Sequence, residues 1–199
     1  MPSFEISKSE VTVAQWDTCV QSGDCDMHGA EYAALRYEHP VLVKGNKALP
    51  FLEWVNASLP SLHQWRFAAT SRGAVQQIDI NAPICDQGDI EYQGEGCYGD
   101  GTSPVCSLPL GETVQGVCDM IGNAQEMLLD GYDFPEDFTT DGTPACGDSS
   151  CSERLKKGVS GNYQPGQDNP YLDYQEISWF NDYLGLRLIR PPQTWRSEE

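Results

Sequence analysis

The chain has 199 residues and a formal net charge of −18, from 30 Asp and Glu against 12 Lys and Arg. That length suits one domain with a real core and is short for two. An acidic surface without a basic patch repels phosphate backbones, which argues against a nucleic-acid partner, and no window reaches the roughly 18 apolar residues of a membrane span.

Phe4, Ile6 and Val11 read as an opening strand. Thr12-Val13-Ala14-Gln15 then forms a capping box, in which a hydroxyl answers an orphan N–H and Gln at N3 reaches back. Val13, Trp16 and Val20 share one helical face, and Gly23 suits the stop. Leu49 to Val55 predicts a second helix, with Pro50 in its first turn. After Pro60, Ser61-Leu62-His63-Gln64 is another capping box; Leu62, Trp65, Phe67, Ala68 and Ala69 predict a short apolar helix ending near Gly73. Ile78 to Thr113 is loop, and Tyr132 to Ser152 is a second, acidic irregular stretch. Strands are expected at Arg154 to Lys157, Glu176 to Phe180 and Leu184 to Ile189. Few helices, short strands and much organised loop describe an α+β domain over residues 1–199, with 190–199 as a C-terminal tail.

Eight cysteines stand at 19, 25, 85, 97, 106, 118, 146 and 151, and no C-x2-C spacing among them suits zinc. Gly, Asp and Ser surround most of them, so disulfides in an oxidising compartment are the better reading than buried thiols. Eight cysteines allow roughly a hundred connectivities. Pairing of neighbours (Cys19 with Cys25, Cys85 with Cys97, Cys106 with Cys118, Cys146 with Cys151) is one of these, favoured most for the two short spacings. An extracellular or cell-surface location follows, although Met1-Pro2-Ser3-Phe4-Glu5 shows neither the basic flank nor the apolar run of a signal peptide.

Six segments in order resemble the formylglycine-generating enzyme (sulfatase-modifying factor) family, in a cysteine-rich bacterial branch. They are Phe4-Glu5-Ile6 through Glu10-Val11-Thr12-Val13-Ala14-Gln15-Trp16; His39-Pro40-Val41; Leu59-Pro60-Ser61 with Trp65 and Ala68-Ala69; Gly116 to Glu126, against G-L-Y-D-M-x-G-N-V-W-E; Leu155 to Ser160, against V-x-R-G-G-S; and Leu184-Gly185-Leu186-Arg187, against a closing G-F-R. The resemblance implies a C-type-lectin-like fold. It also implies copper-dependent oxidation of a substrate cysteine by two cysteines that follow the R-G-G-S segment. Counted from Ser160, those places fall on Tyr163 and Asp168, and no cysteine follows Cys151. Neither residue offers the soft thiolate that copper(I) requires, so no copper and no thiol-oxidase activity are expected.

The resemblance further implies calcium held by the Asp119 and Glu126 side chains with the Gly122 and Ala124 carbonyls, and hard oxygen donors at that spacing are competent for it. A turn merely capped and braced by Asn123 and Glu126 is the plainer alternative. Residues 161–183 are the expected binding face: Asn162, Tyr163, Asp168, Asn169, Tyr171, Asp173, Tyr174, Trp179, Asn181 and Tyr183 have the Tyr/Asn/Asp composition of a paratope. Ordinary exposed loop with a few core aromatics has nearly equal weight. Retroelement-diversified proteins of this fold vary their sequence in the same segment, which the composition suits. His28, His39 and His63 make no triad and read as structural. The expected function is non-catalytic binding of a protein or glycan. A structural component of a surface assembly is the runner-up, and an enzyme of non-thiol chemistry in the same cleft ranks last.

Overall fold

The computed structural model describes residues 3–27, 30–31, 36–70, 91–92, 95–96, 102–131, 153–157, 175–178 and 183–191. Strand β1 is short (Glu5–Ile6) and leads to helix α1 (Val13–Ser22), which starts at Thr12 with both halves of the capping box formed. Gly23, at φ 88°, closes α1 in the left-handed conformation that glycine adopts without a Cβ penalty. Strands β2 (Ala30–Glu31) and β3 (Leu42–Lys44) follow. Helix α2 (Gly45–Trp54) begins directly on the end of β3, four residues before the expected start. Pro50 therefore lies inside the helix rather than in its first turn, and that turn forgoes one backbone N–H.

Helix α3 (Leu62–Ala69) carries the second capping box, at Ser61. It stops at Thr70, well before Gly73: Thr70 leaves helical geometry, and its hydroxyl donates back to the Arg66 carbonyl at 2.7 Å. Phe67, read as part of the apolar face, is 38% exposed and meets Phe4 edge-on with ring centroids 6.1 Å apart. Inside the stretch read as loop lies a hairpin of β4 (Glu91–Tyr92) and β5 (Glu95–Gly96), and later a 3-10 turn at Pro109–Gly111. The remaining strands are β6 (Glu126–Gly131), β7 (Glu153–Lys157), β8 (Gln175–Ser178), β9 (Tyr183–Leu184) and β10 (Ile189–Arg190). The single strand expected at 184–189 is thus two short ones, each with a different partner.

Among the described residues every strand pair is antiparallel. β1 pairs with β10, which brings the two ends of the described chain together, with Glu5 opposite Arg190. β3 lies between β2 and β9, and β7 lies between β6 and β8. A parallel bridge from Glu126 to Gly185 ties the start of β6 to the segment after β9. Side-chain alternation along β6 serves two cores at once. Met127 packs into a cluster with Trp16, Val41, Val43, Phe51, Leu59 and Leu186, while Leu128 packs on the other side with Leu62, Trp65, Val117, Met120 and Ile121. In the first cluster Trp16 stacks on Phe51, centroids 5.3 Å apart.

Two expected disulfides are present, Cys19–Cys25 and Cys106–Cys118. Cys85, Cys97, Cys146 and Cys151 lie outside the described residues.

Candidate functional site

The segment from Gly116 to Glu126 cannot run as regular structure. Gly116, Asp119, Gly122 and Asn123 all take positive φ, at 78°, 55°, 81° and 60°. Asp and Asn tolerate this region because their short polar side chains can bond locally. Here those side chains bond outwards, to a neighbouring loop. The Asp119 Oδ2 accepts from the Cys106 N–H at 2.6 Å, and the Asn123 Oδ1 accepts from the Ser103 N–H at 2.9 Å. Together with the Cys106–Cys118 disulfide, they fasten residues 103–106 to the turn.

At the end of the turn, Glu126 is buried and both of its oxygens are engaged. The Trp65 indole N–H donates to Oε2 at 2.5 Å. The Arg187 guanidinium meets Oε1 through Nε at 2.8 Å and through its terminal nitrogen at 2.7 Å. Arg187 is wholly buried and donates further to the carbonyls of Ser7 (3.1 Å), Lys8 (3.0 Å) and Cys118 (2.8 Å). One side chain thus binds the N-terminal segment, the turn and β6, and through Glu126 it reaches Trp65 on α3. Burial by itself would lower the Arg187 pKa; Glu126 and then Glu10 outweigh it, and the group is held more firmly protonated than usual.

Glu10 is the fourth member. It is buried, 4.0 Å from the Arg187 guanidinium, and neither of its oxygens has a hydrogen-bond partner among the described residues. Burial is the main force on it and disfavours its charged form. Arg187 pulls the other way, while Glu126 and Asp119 add repulsion, so Glu10 keeps its proton well above the usual carboxylate range. A protonated Glu10 beside the Arg187–Glu126 pair avoids placing a second negative charge in the same dry interior. The glycine of Leu184-Gly185-Leu186-Arg187 is demanded here as well. A Cβ on Gly185 would stand 2.9 Å from the Ala124 Cβ and 3.4 Å from the Gln125 carbonyl oxygen.

The four residues expected to hold calcium are therefore gathered on one turn but, as placed, do not fit the ion. Calcium takes six to eight oxygens, including free carboxylates. Glu126 gives its oxygens to Arg187 and Trp65, and Asp119 gives one to a backbone N–H. Among the described residues no group of three or more His, Cys, Asp or Glu is arranged to hold a metal. An ion on Glu126 would have to displace a buried guanidinium. The cluster is chemically a closed clamp: Glu10, Glu126 and Arg187 are each at most 1% exposed, so no substrate reaches them.

Of the expected binding face, Asn162, Tyr163, Asp168, Asn169, Tyr171, Asp173, Tyr174, Trp179 and Asn181 lie outside the described residues, and Tyr183 begins β9, opposite Lys44. β7 and β8, antiparallel neighbours, flank residues 158–174. The sequence offered Glu10 and Arg187 only as carriers of a resemblance and Trp65 also as part of an apolar helix face, with no sign that the three meet at Glu126. A buried role for Arg187 was suggested only by its place in an otherwise apolar Leu-Gly-Leu-Arg-Leu-Ile run.

Among the described residues, short antiparallel strands, paired chain ends, three helices and a convoluted, disulfide-fastened turn define an α+β protein of the C-type-lectin-like fold. The chain belongs to the formylglycine-generating enzyme family: a profile of the sulfatase-modifying factor enzyme 1-like domain matches residues 1–192. Among solved structures it is similar to PvdO from Pseudomonas aeruginosa, with TM-score 0.69 and 20% identity over 95% of this chain and 80% of that one. It is also similar to Treponema denticola variable protein 1 (TM-score 0.67, 17% identity, 95% of this chain and 84% of that one). CarF is a third such structure (TM-score 0.64, 18% identity, 95% and 86%). At these identities the likeness is one of fold. No curated protein sequence matches the chain.

Proposed function

We propose that this chain is a non-catalytic, extracellular ligand-binding domain, with residues 161–183 as its binding segment and a protein or glycan as its ligand. The observation that carries the reading is in the sequence: no cysteine follows Cys151, and counting from Ser160 the places of the family's copper-binding thiols fall on Tyr163 and Asp168. A phenol and a carboxylate cannot replace a thiolate pair on copper(I). Two further observations support it. No described cysteine is free, Cys19, Cys25, Cys106 and Cys118 all being oxidised, as suits a secreted scaffold. One solved protein of this fold is a variable protein, and the Tyr/Asn/Asp-rich stretch is the segment of this chain suited to vary.

Two measurements test the proposal. Cysteinyl peptides incubated with the protein and copper(I) should show no conversion by mass spectrometry; turnover would refute the non-catalytic half. A ligand captured on glycan or surface-protein arrays should lose about a hundredfold in affinity on alanine substitution of Tyr163 with Tyr174, because truncated aromatic anchors dominate such interfaces. Unchanged affinity in a variant that melts like the wild type would refute the assignment of the binding segment.

A further inference from the structure

A cavity of about 560 Å³ opens between residues 36–39 and the 102–108 loop. Its lining is rich in donors: the Arg36 guanidinium, the His39 imidazole and the hydroxyls of Thr102, Ser103 and Ser107. Pro104 and Leu108 supply apolar wall. No carboxylate is among the described lining residues, in a chain whose net charge is −18. Arg36 is exposed and makes no ion pair with any described residue.

Both walls are fixed before any ligand arrives. The carbonyls of Tyr37 and His39 accept from the Ala14 and Val13 N–H groups in the first turn of α1, and His39 N–H bonds the Arg36 carbonyl at 3.0 Å. Across the cavity, Val105 N–H bonds the Glu38 carbonyl at 2.9 Å, which sets the two walls at a constant spacing. His39 Nδ1 lies 3.1 Å from the Thr102 hydroxyl, joining the walls a second time. The Cys106–Cys118 disulfide and the bonds from Asp119 and Asn123 hold the loop from behind. A rigid, concave site of this volume loses little ordering entropy when it binds a small molecule.

We infer that this cavity binds a small hydroxylated carboxylate of the sugar-acid class. A guanidinium fork matches a planar carboxylate with two parallel hydrogen bonds. The serine and threonine hydroxyls can each donate and accept, as ring hydroxyls require. The apolar wall can take the C–H face of a sugar ring, which neither an inorganic anion nor a simple acid would use. The inference rests on residues 36–39 and 102–108 alone, so it stands or falls separately from the role proposed for residues 161–183.

The test is titration of the full oxidised chain with D-glucuronate, followed by calorimetry and by amide NMR shifts, with glucose and acetate as comparison arms. Glucuronate is expected to bind saturably and to shift amides of 36–39 and 102–108. Arg36→Gln should weaken it about tenfold or more, the usual loss on removing a charged hydrogen-bonding partner. Ser107→Ala, on the opposite wall, should weaken it by about threefold, in line with one neutral hydrogen bond. Both substituted residues are exposed, and an unchanged melting temperature checks the fold; should Arg36→Gln not fold, Arg36→Lys keeps the charge, loses the fork and serves instead. Absence of saturable binding, or binding indifferent to Arg36, would overturn the inference. Glucose bound as well as glucuronate would overturn the carboxylate role, and acetate bound as well would overturn the sugar role.

Discussion

Replacing Arg187 with methionine removes the guanidinium and keeps most of the side chain's apolar volume. Lost with it are two contacts to Glu126, at 2.7 and 2.8 Å, and three bonds to the carbonyls of Ser7, Lys8 and Cys118. Glu126, 1% exposed, would retain only the Trp65 indole. Breaking a buried pair from one side costs about 3–5 kcal/mol, because the other charge stays in the interior. The Lys8 carbonyl keeps the Cys118 N–H as a partner, so about 4 kcal/mol, the middle of that range, is the expected loss. That is a large share of a typical stability of roughly 5–15 kcal/mol. For a chain of this size it should lower Tm by about 8–16 °C. Urea unfolding of the oxidised protein at neutral pH measures it. Removing Glu126 as well (Glu126→Leu with Arg187→Met) should destabilise less than the sum of the single changes, with a coupling of about 1–3 kcal/mol. A single variant within about 1 kcal/mol of wild type would refute the clamp, that being the scale of an ordinary exposed ion pair. Calcium that fully restored the single variant's stability would show that the turn can be held by an ion instead.

Glu10 gives a pH signature. Its folded pKa is raised, so between the usual carboxylate range and that raised value the folded state binds more protons than the unfolded chain. Its contribution to stability is therefore complete at low pH and is lost as pH rises through the folded pKa. Stability followed from pH 4 to 9 by urea titration, plotted as wild type minus Glu10→Gln, should fall as pH rises; a flat difference would show that Glu10 titrates normally. Gly185→Ala should destabilise by about 1–3 kcal/mol, the usual range for overpacking, because its Cβ would sit 2.9 Å from that of Ala124. The pair Gly185→Ala with Ala124→Gly should recover much of that loss in thermal melts, and no recovery would place the strain elsewhere. Serine at both Cys106 and Cys118, a pair 12 residues apart, should cost about 3 kcal/mol in the loop-closure account. It should also raise amide exchange in residues 102–108 while leaving that of α1 unchanged.

What the sequence by itself determined is mostly local. Thr12 with Gln15 and Ser61 with Gln64 start their helices because a capping box closes within four residues, and Gly23 ends α1 because its backbone alone permits φ 88°. The Cys19–Cys25 pair was legible for the same reason, since a spacing of six restricts partners, whereas Cys106–Cys118, twelve residues apart, was one neighbour pairing among many. The order of six motifs carried the fold and family. Local rules failed where a distant partner decides. Helix α2 accepts Pro50 in its interior because β3, held by β2 and β9, delivers the chain at Gly45. Strand β6 was invisible because its two faces feed two different cores, so Glu126 to Gly131 shows no single amphipathic pattern. The clamp was hidden more deeply. Its members are separated by 61 residues between Trp65 and Glu126 and by 61 more between Glu126 and Arg187. A glutamate on a turn reads as a calcium ligand until the fold brings an arginine to it. Only the tertiary structure brings that arginine to the glutamate, because the pairing depends on residues far apart in the chain and no local pattern announces it.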